Sequence, residues 1–320
     1  MNYFPISILS KKIILIDGIA RSGKLFTGTL LSTFKNYEHM EFGLNFERLC
    51  PALEFKKINE DFAKSFINNY LNELIYNKYL SRNVNFRPTD RTSVVNAPNY
   101  KLYKKRLKMK EGYRIIKQIK QENKSLLFVT HDILSTINAF NKLGLSYKMI
   151  ELFRNPFSLV MSWYKRGLGR RFGNDQRLFS LLIKKKRKIL PWYDNLFNDN
   201  LRDLNELEKC IHYVYNITTK SISNYTKLNK LEKKRIFITS YERLVENPYS
   251  EISNISIFLK SELTKNTKIF IKKENLPKLL NNSILKKNRL FIKSEVNRKY
   301  YNKLEKLEQN FNQSIYGLSK

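Results

Sequence analysis

Cysteine, proline and glycine are scarce in this sequence, which has 2, 8 and 10 of them among 320 residues. Cys50 and Cys210 lie far apart and in no metal-ligand spacing, so the sequence predicts neither a disulfide framework nor a cysteine-based zinc site. Stretches rich in glycine, proline or serine, which mark linkers and low-complexity tails, are also missing. The length and the 42% hydrophobic content therefore indicate a folded protein with one large or two small domains.

Long hydrophobic runs are absent as well. No apolar stretch reaches the roughly 18 residues that a membrane-spanning helix needs. The first residues lack the basic-then-apolar order of a signal peptide. We therefore expect a soluble, cytoplasmic protein without a transmembrane segment.

Acidic residues are outnumbered, with 28 Asp and Glu against 60 Lys and Arg, and the formal net charge is +32. Such a charge predicts affinity for polyanions, including nucleic acids, anionic membrane surfaces and multiply phosphorylated molecules. Most of the basic residues are lysines scattered among Asn and Ile, a pattern that an AT-rich genome imposes on any protein. The charge by itself therefore does not select among these partners.

Short β-branched runs alternate with helical patterns along the chain. The predicted strands are residues 12–17, 125–129, 148–153 and 235–239. Apolar residues at helical spacing follow the first strand over residues 23–34, and Pro156 favours a helix start after the third strand. The alternation predicts an α/β fold of the P-loop nucleotide-binding type, a three-layer parallel sheet with helices on both faces. Ligands bind beyond the carboxyl ends of such strands, where Gly18, His131 and Arg154 fall.

The link between the first strand and the first helix has the pattern of a phosphate-binding loop. Residues 18–24, Gly-Ile-Ala-Arg-Ser-Gly-Lys, match the first seven positions of the Walker A pattern. Backbone N–H groups at the helix N-terminus would capture an anion, reinforced by Arg21 and Lys24. The eighth position holds Leu25 instead of the Ser or Thr that binds Mg²⁺ in ATPases and kinases. This disfavours ATP hydrolysis and favours a sulfuryl donor, whose transferred group carries fewer charged oxygens than a phosphoryl group and needs no metal.

The loop resembles that of the sulfotransferase superfamily, whose members bind 3′-phosphoadenosine 5′-phosphosulfate (PAPS). Many bacterial members carry Arg-Ser-Gly, as residues 21–23 do. The resemblance places Arg21 at the position of the family's catalytic lysine and Phe26 at that of the tryptophan that stacks on adenine. It implies a donor site formed in this loop by Gly18, Ala20, Arg21, Ser22, Gly23, Lys24, Leu25 and Phe26. It also implies a single sulfotransferase domain over residues 1–320, with a core at about 12–260 and a basic, mostly helical part at 263–320.

Two further signatures of the family follow downstream. Arg154 ends the third predicted strand and Ser162 lies eight residues later in the next helix. In the family such a pair holds the 3′-phosphate of the donor. The Thr-His pair at residues 130–131 resembles that of the cytosolic members, in which the histidine is the general base. The resemblance therefore implies that Arg154 and Ser162 bind the donor and that His131 takes the acceptor proton.

We accordingly expect a PAPS-dependent sulfotransferase that requires no metal and acts on a hydroxyl acceptor, either a glycan, a lipid or a small metabolite. Arg21 and Lys24 would stabilise the charge on the leaving phosphate. Other members use a glutamate as the base, and Glu41 is the first alternative to His131, with Glu38 and His39 beside it in the sequence.

Two other functions remain open at this point. One is a P-loop small-molecule kinase, and the other is a non-catalytic protein that binds polyanions or nucleic acid, which only the net charge supports. The basic segment at residues 165–171 would either grip an anionic acceptor or close over the donor. Residues 40–110 and 165–230 are the expected specificity segments, and their composition does not identify the acceptor.

Overall fold

A parallel sheet in the order β2-β3-β1-β4-β7 forms the centre of the protein. The computed structural model describes residues 3–10, 12–171, 175–185, 188–196, 204–315 and 317–318. The sheet strands are β1 (Ile13–Asp17), β2 (Glu41–Phe42), β3 (Leu126–Val129), β4 (Tyr147–Phe153) and β7 (Ile236–Ser240). A separate antiparallel hairpin consists of β5 (Leu182–Lys185) and β6 (Lys188–Pro191).

Helices cover both faces of the sheet. In chain order they are α1 (Lys24–Leu31), α2 (Leu44–Glu54), α3 (Glu60–Tyr79), α4 (Tyr100–Arg106), α5 (Tyr113–Glu122), α6 (Ile137–Asn141), α7 (Pro156–Lys165), α8 (Leu168–Arg171), α9 (Glu206–Lys227), α10 (Lys230–Lys233), α11 (Tyr241–Glu246), α12 (Pro248–Leu259), α13 (Lys265–Lys273), α14 (Asn282–Glu295) and α15 (Arg298–Ser314). None of the helices in the described ranges is long and apolar enough to cross a membrane.

The central strand β1 explains the layering. Successive side chains of a strand point to opposite faces, so Ile13 and Leu15 pack into one core and Ile14 and Ile16 into the other. The first core lies beneath α2, α3, α5 and α6, and the second lies beneath α1, α11, α12 and α13. The expected three-layer α/β fold with a parallel sheet is confirmed. The four predicted strands agree with β1, β3, β4 and β7 to within one residue at either end.

The short edge strand β2 and the helix α2 that follows it are absent from the sequence prediction. A strand of two residues has no detectable alternation, and α2 begins one residue after Gly43 and contains Pro51 in its interior. The predicted basic loop at residues 165–171 contains the one-turn helix α8. These differences matter because β2, α2 and α8 border the candidate site.

Glu38 and Arg106 form a buried ion pair just before β2. The two carboxylate oxygens of Glu38 each lie 2.9 Å from a guanidinium nitrogen, and both side chains are at most 1% exposed. The Tyr103 hydroxyl donates to the same carboxylate, and the guanidinium stacks 4.0 Å from the centre of the Tyr79 ring. Burial works to raise the pKa of Glu38, but the hydrogen bonds and the charge of Arg106 lower it to about 2. The pair holds the chain segment that leads through β2 to α2.

His39, next to this pair, makes stability depend on pH. Burial, followed by the charge of the nearby Lys78 ammonium, lowers the pKa of His39 from 6.5 to about 4, while the backbone carbonyl of Thr92 and the Glu38 charge oppose this shift. The pKa of His39 is lower in the folded than in the unfolded protein. The contribution of His39 to the free energy of unfolding is therefore complete above pH 6.5 and is lost as the pH falls towards 4. The shift corresponds to roughly 3 kcal/mol. Between these pH values, the melting temperature of His39→Gln should fall less steeply with decreasing pH than that of the wild type.

The matched control for this prediction is His131→Gln, which removes a histidine from a partly exposed position. In that variant the melting temperature should fall with decreasing pH as steeply as in the wild type, because His39 is still present. An unchanged slope in His39→Gln would show that His39 does not set the acid sensitivity.

Candidate functional site

An open cavity of about 1080 Å³ lies at the carboxyl ends of the sheet strands. Residues that directly follow β1, β3, β4 and β7 line it, among them Ala20, His131, Arg154 and Tyr241. This is the position at which ligands bind in parallel α/β sheets. The cavity therefore collects the ends of strands that are far apart in the sequence.

The loop between β1 and α1 has the backbone of an anion-binding turn. Gly18, Arg21 and Gly23 all have positive φ angles, of 134°, 71° and 106°. A Cβ atom on Gly18 would lie 2.3 Å from the carbonyl oxygen of Leu152, so only glycine fits there. Helix α1 has no side-chain cap and no acidic residue in its first turn. Its N-terminal N–H groups and the positive end of its dipole therefore favour an anion.

The Lys24 side chain turns back beneath this loop. Its ammonium donates to the carbonyl oxygens of Gly18 and Ile19, the second at 2.9 Å, and the residue is only 4% exposed. Burial lowers the pKa of Lys24, and the carboxylates of Asp132 and Asp17 oppose that shift. The Lys24 ammonium thus binds the backbone of its own loop. A contact between Lys24 and a sulfuryl donor stays a prediction.

Carboxyl groups lie below the loop around the Lys24 ammonium. Burial raises the pKa of Asp132 to about 8, against the opposing charge of Lys24. Burial likewise raises the pKa of Glu151, helped by the neighbouring Asp17. The Asp17 carboxylate accepts hydrogen bonds from the Thr130 hydroxyl at 2.8 Å and from the Leu134 N–H at 2.9 Å. This network joins the ends of β1 and β3 and fixes the loop relative to His131.

Arg21, Arg154 and Ser162, which come from separate segments of the sequence, lie close together at the mouth of the loop. Nε of Arg21 donates to Oγ of Ser162 at 3.1 Å. Arg154 donates to the backbone carbonyl of Arg21 at 2.9 Å, and its guanidinium lies 4.9 Å from the centre of the Tyr241 ring. We call Arg21, Ser22, Arg154 and Ser162 the donor cradle.

Two polar atoms of the donor cradle are buried without a partner among the described residues. They are Oγ of Ser22 and Nε of Arg154. Burial lowers the pKa of Arg21, and the charges of Arg166, Arg154 and Arg91 lower it further. Unpaired buried donors and crowded guanidinium groups both carry an energetic cost that a bound anion removes. The cradle therefore suits a multiply charged anionic ligand.

Phe26 and Leu25 line the cavity beside the loop. The Phe26 ring is 7% exposed and packs 5.3 Å from the Phe270 ring and 6.2 Å from the Tyr241 ring, centre to centre. Its predicted stacking on adenine stays a prediction. Tyr241 presents a further aromatic ring at the same place.

His131 and Glu47 form a hydrogen-bonded pair that also lines the cavity. Nδ1 of His131 lies 2.9 Å from Oε1 of Glu47, which also accepts the His131 backbone N–H. A carboxylate oxygen only accepts, so the shared proton belongs to Nδ1, and Nε2 is left as a proton acceptor. The Phe42 ring is stacked on the imidazole at 6.4 Å. The histidine side chain is 32% exposed and faces the cavity that holds the donor cradle.

The alternative bases of the sequence analysis lie elsewhere. Glu41 accepts a 2.7 Å hydrogen bond from Lys78 and, like His39, lines a separate cavity of about 320 Å³ on the other side of β2. The Glu38 carboxylate forms a buried ion pair with Arg106. The geometry therefore favours His131 over these residues as the base.

Sequence reasoning missed three residues of the site. Glu47 orients His131 from 84 positions away, and no local pattern marks that pairing. Trp163 donates from Nε1 to the Ala20 carbonyl at 2.7 Å and so supports the loop. Tyr241 directly follows β7, and the rule that ligands bind at carboxyl ends of parallel strands would have identified it.

Comparison with known proteins gives the following matches. A profile described as "Sulfotransferase domain" matches residues 11–317. The sulfotransferase domain from the curacin biosynthetic pathway is 13% identical, with a TM-score of 0.44 over 83% of this chain and 77% of that one. The corresponding domain of the Synechococcus PCC 7002 olefin synthase is 14% identical, with a TM-score of 0.42 over 83% and 80%. Sulfotransferase STF9 from Mycobacterium avium is 13% identical, with a TM-score of 0.40 over 91% and 78%. No curated protein sequence matches the chain.

Proposed function

The chain belongs to the sulfotransferase domain family, and on that premise we propose that it transfers a sulfuryl group from PAPS to a hydroxyl acceptor. The observation that carries the choice of donor is the donor cradle. Arg21, Arg154 and Ser162 converge beside a phosphate-binding loop although more than a hundred residues separate the first from the others. PAPS carries two separate phosphate groups, and the cradle offers two separate anion-binding elements.

The fit of the residues to such a donor rests on their chemistry. The loop N–H groups, the N-terminus of α1 and Ser22 would hold the 5′-phosphosulfate end. Arg154 and Ser162 would hold the 3′-phosphate, because a guanidinium fork matches phosphate oxygens. Oγ of Ser22 and Nε of Arg154, buried and without a partner in the described ranges, would gain acceptors.

Proton removal falls to His131 in this proposal. Glu47 keeps the proton on Nδ1 and orients the ring, so Nε2 accepts the proton of the acceptor hydroxyl. The bound donor supplies the sulfuryl group, which forms a bond to the acceptor oxygen while its bond to the phosphate oxygen breaks. Arg21 then faces the charge that develops on that phosphate oxygen. Lys24 contributes by holding the loop carbonyls of Gly18 and Ile19.

The test is binding of PAP, the desulfated product of the donor. We expect PAP to raise the melting temperature by several degrees at about 150 mM salt, which screens unspecific attraction. Arg154→Ala should weaken PAP binding at least about tenfold in titration calorimetry, because a charge-assisted hydrogen bond to phosphate is lost. ATP with magnesium serves as the competing ligand.

The matched control for this titration is Arg114→Ala, which removes an exposed arginine on α5 outside the cavity. It should leave PAP affinity unchanged. A thermal shift with ATP and magnesium but not with PAP would replace this proposal with a kinase. Equal PAP affinity in Arg154→Ala and the wild type would remove Arg154 from the donor site.

A further inference from the structure

The same cavity carries a second group of arginines beyond the donor cradle. They are Arg48, Arg91, Arg166, Arg171 and Arg177, which we call the outer arginines. They come from α2, the segment before α4, the end of α7, α8 and the turn before β5, so chain segments far apart in sequence contribute them. Such a concentration from separate segments needs an explanation.

The composition of the chain does not supply that explanation. The sequence contains 42 Lys and 18 Arg, so a cavity lined at random by basic residues would be rich in lysine. The cavity is instead lined by seven arginines and two lysines. Arginine differs from lysine by its planar fork of donors, which binds phosphate, sulfate and carboxylate groups in a bidentate manner. The lining therefore indicates anion recognition rather than the compositional bias.

Most of the outer arginines are free to bind a ligand. Across the described ranges, no carboxylate lies within ion-pair distance of Arg48, Arg91 or Arg166. Arg177 pairs with Asp175 at 2.6 Å, and Arg171 donates to a backbone carbonyl at 3.4 Å. The unpaired guanidinium groups repel one another across the cavity, and a bound anion would relieve that repulsion.

The carboxylates that line the cavity do not neutralise this charge. Glu47 is engaged with His131, and Asp132 lies beside Lys24. Glu274 is the remaining acidic residue of the lining. After the cations of the donor cradle are set aside, the cavity still carries a clear excess of positive charge.

Among the outer arginines, Arg48 lies nearest in the chain to the residue pair that contains the candidate base. Arg48 directly follows Glu47 in α2, the residue that orients the base. Arg48, Glu47 and His131 line the same cavity, so Arg48 can reach an acceptor whose hydroxyl meets Nε2 of His131. Arg91 and Arg166 lie near the donor cradle, since their charges lower the pKa of Arg21. Arg48 and Arg177 therefore serve as the probes of the acceptor side.

We infer that the acceptor is a hydroxyl compound that itself carries an anionic group, a phosphate, a sulfate or a carboxylate, bound by the outer arginines. The inference rests on the proposed sulfotransfer and narrows its substrate class. The anionic group anchors the acceptor in the cavity while its hydroxyl faces His131. A neutral alcohol of the same shape lacks this anchor.

The experiment uses matched ligands on two scaffolds with the PAP-saturated protein. The first set is glucose, glucuronate, glucose 6-sulfate and glucose 6-phosphate, and the second is glycerol and glycerol 3-phosphate. At about 150 mM salt, we expect charged members of a set to bind at least about tenfold more tightly than the neutral member in titration calorimetry. The three charged glucose derivatives separate phosphate, sulfate and carboxylate as the preferred group.

The variant Arg48→Gln/Arg177→Gln should lose the preference for charged over neutral ligands. Its PAP affinity should stay within about twofold of the wild type, a change of less than about 0.5 kcal/mol in binding free energy. Its control is Arg114→Gln/Arg298→Gln, which removes the same charge from exposed positions on α5 and α15 and should keep the preference.

Three results would overturn the inference. The first is that charged and neutral ligands bind equally on both scaffolds. The second is that the double variant keeps the preference for charged ligands. The third is that the double variant loses as much PAP affinity as affinity for the charged ligands. Failure of the wild type to bind PAP would count against the proposed function instead, and the ligand sets without PAP would still report on the outer arginines.

Discussion

Replacement of His131 with alanine should lower kcat by about a hundred- to ten-thousand-fold, the usual contribution of a general base. The donor affinity should stay unchanged, because His131 makes its polar contacts with Glu47 and, among the described residues, none with the donor cradle. Glu47→Gln should produce a smaller loss, because a neutral amide no longer stabilises the charged imidazolium that forms during proton transfer. Turnover of a PAPS-dependent acceptor and titration with PAP measure the two quantities separately.

Because Glu47 acts through His131, the Glu47 variants need a measurement that a merely structural defect would not change. Rescue by a conservative change supplies that measurement, because Glu47→Asp keeps the carboxylate and Glu47→Gln does not. Glu47→Asp should restore part of the activity if the carboxylate is what matters.

The matched control for the base is Glu41→Gln. Glu41 is paired with Lys78 and lines the other cavity, so its loss should change kcat by less than about tenfold, well below the loss of a general base. Full activity in His131→Ala would refute the assignment of the base. A large loss in Glu41→Gln with an intact fold would move the base to Glu41.

The second large effect concerns stability. Arg106→Met should lower the free energy of unfolding by about 3–5 kcal/mol, because it removes the bidentate partner of the buried Glu38 carboxylate and leaves, among the described residues, only the Lys124 ammonium within ion-pair distance, 3.7 Å away. For a chain of this size the melting temperature should fall by roughly five to eight degrees. Chemical denaturation measures the free energy, and calorimetry measures the melting temperature.

The double variant Glu38→Gln/Arg106→Met provides the control. It removes the buried charge together with its partner, so it should be more stable than Arg106→Met alone. Because the Glu38 pKa is lowered to about 2 by Arg106, the wild-type pair contributes fully above pH 4.5 and loses its contribution as the pH falls towards 2. A double variant no more stable than Arg106→Met would show that packing against Tyr79 and Tyr103, and not the unpaired charge, dominates the loss.

The loss of Arg106 should also disturb the site, since the ion pair holds the segment that leads through β2 to α2. That helix carries Glu47 and Arg48. We therefore expect kcat to fall in Arg106→Met even at temperatures where the protein is folded, while PAP affinity falls less.

Much of the fold was predictable because its signals are local. Each buried strand of the sheet is a short run of β-branched and apolar residues, and β1 lies directly before a glycine turn. The spacing of Arg154, directly after β4, and Ser162, in α7, and the glycine turn before α1 also depend only on neighbouring residues. The edge strand β2 and helix α2 escaped prediction because tertiary contacts, and not their own patterns, stabilise them.

The sequence by itself determined the parallel α/β architecture, the glycine turn after β1 and the residue types at the strand ends, since backbone geometry and side-chain periodicity act over a few residues. The tertiary structure decided which side chains meet. It turned Lys24 back onto the loop carbonyls, joined Glu47 to His131 and gathered the outer arginines around one cavity. Those contacts depend on the order of the strands in the sheet and on the packing of helices far apart in the chain, and no short stretch of sequence encodes either.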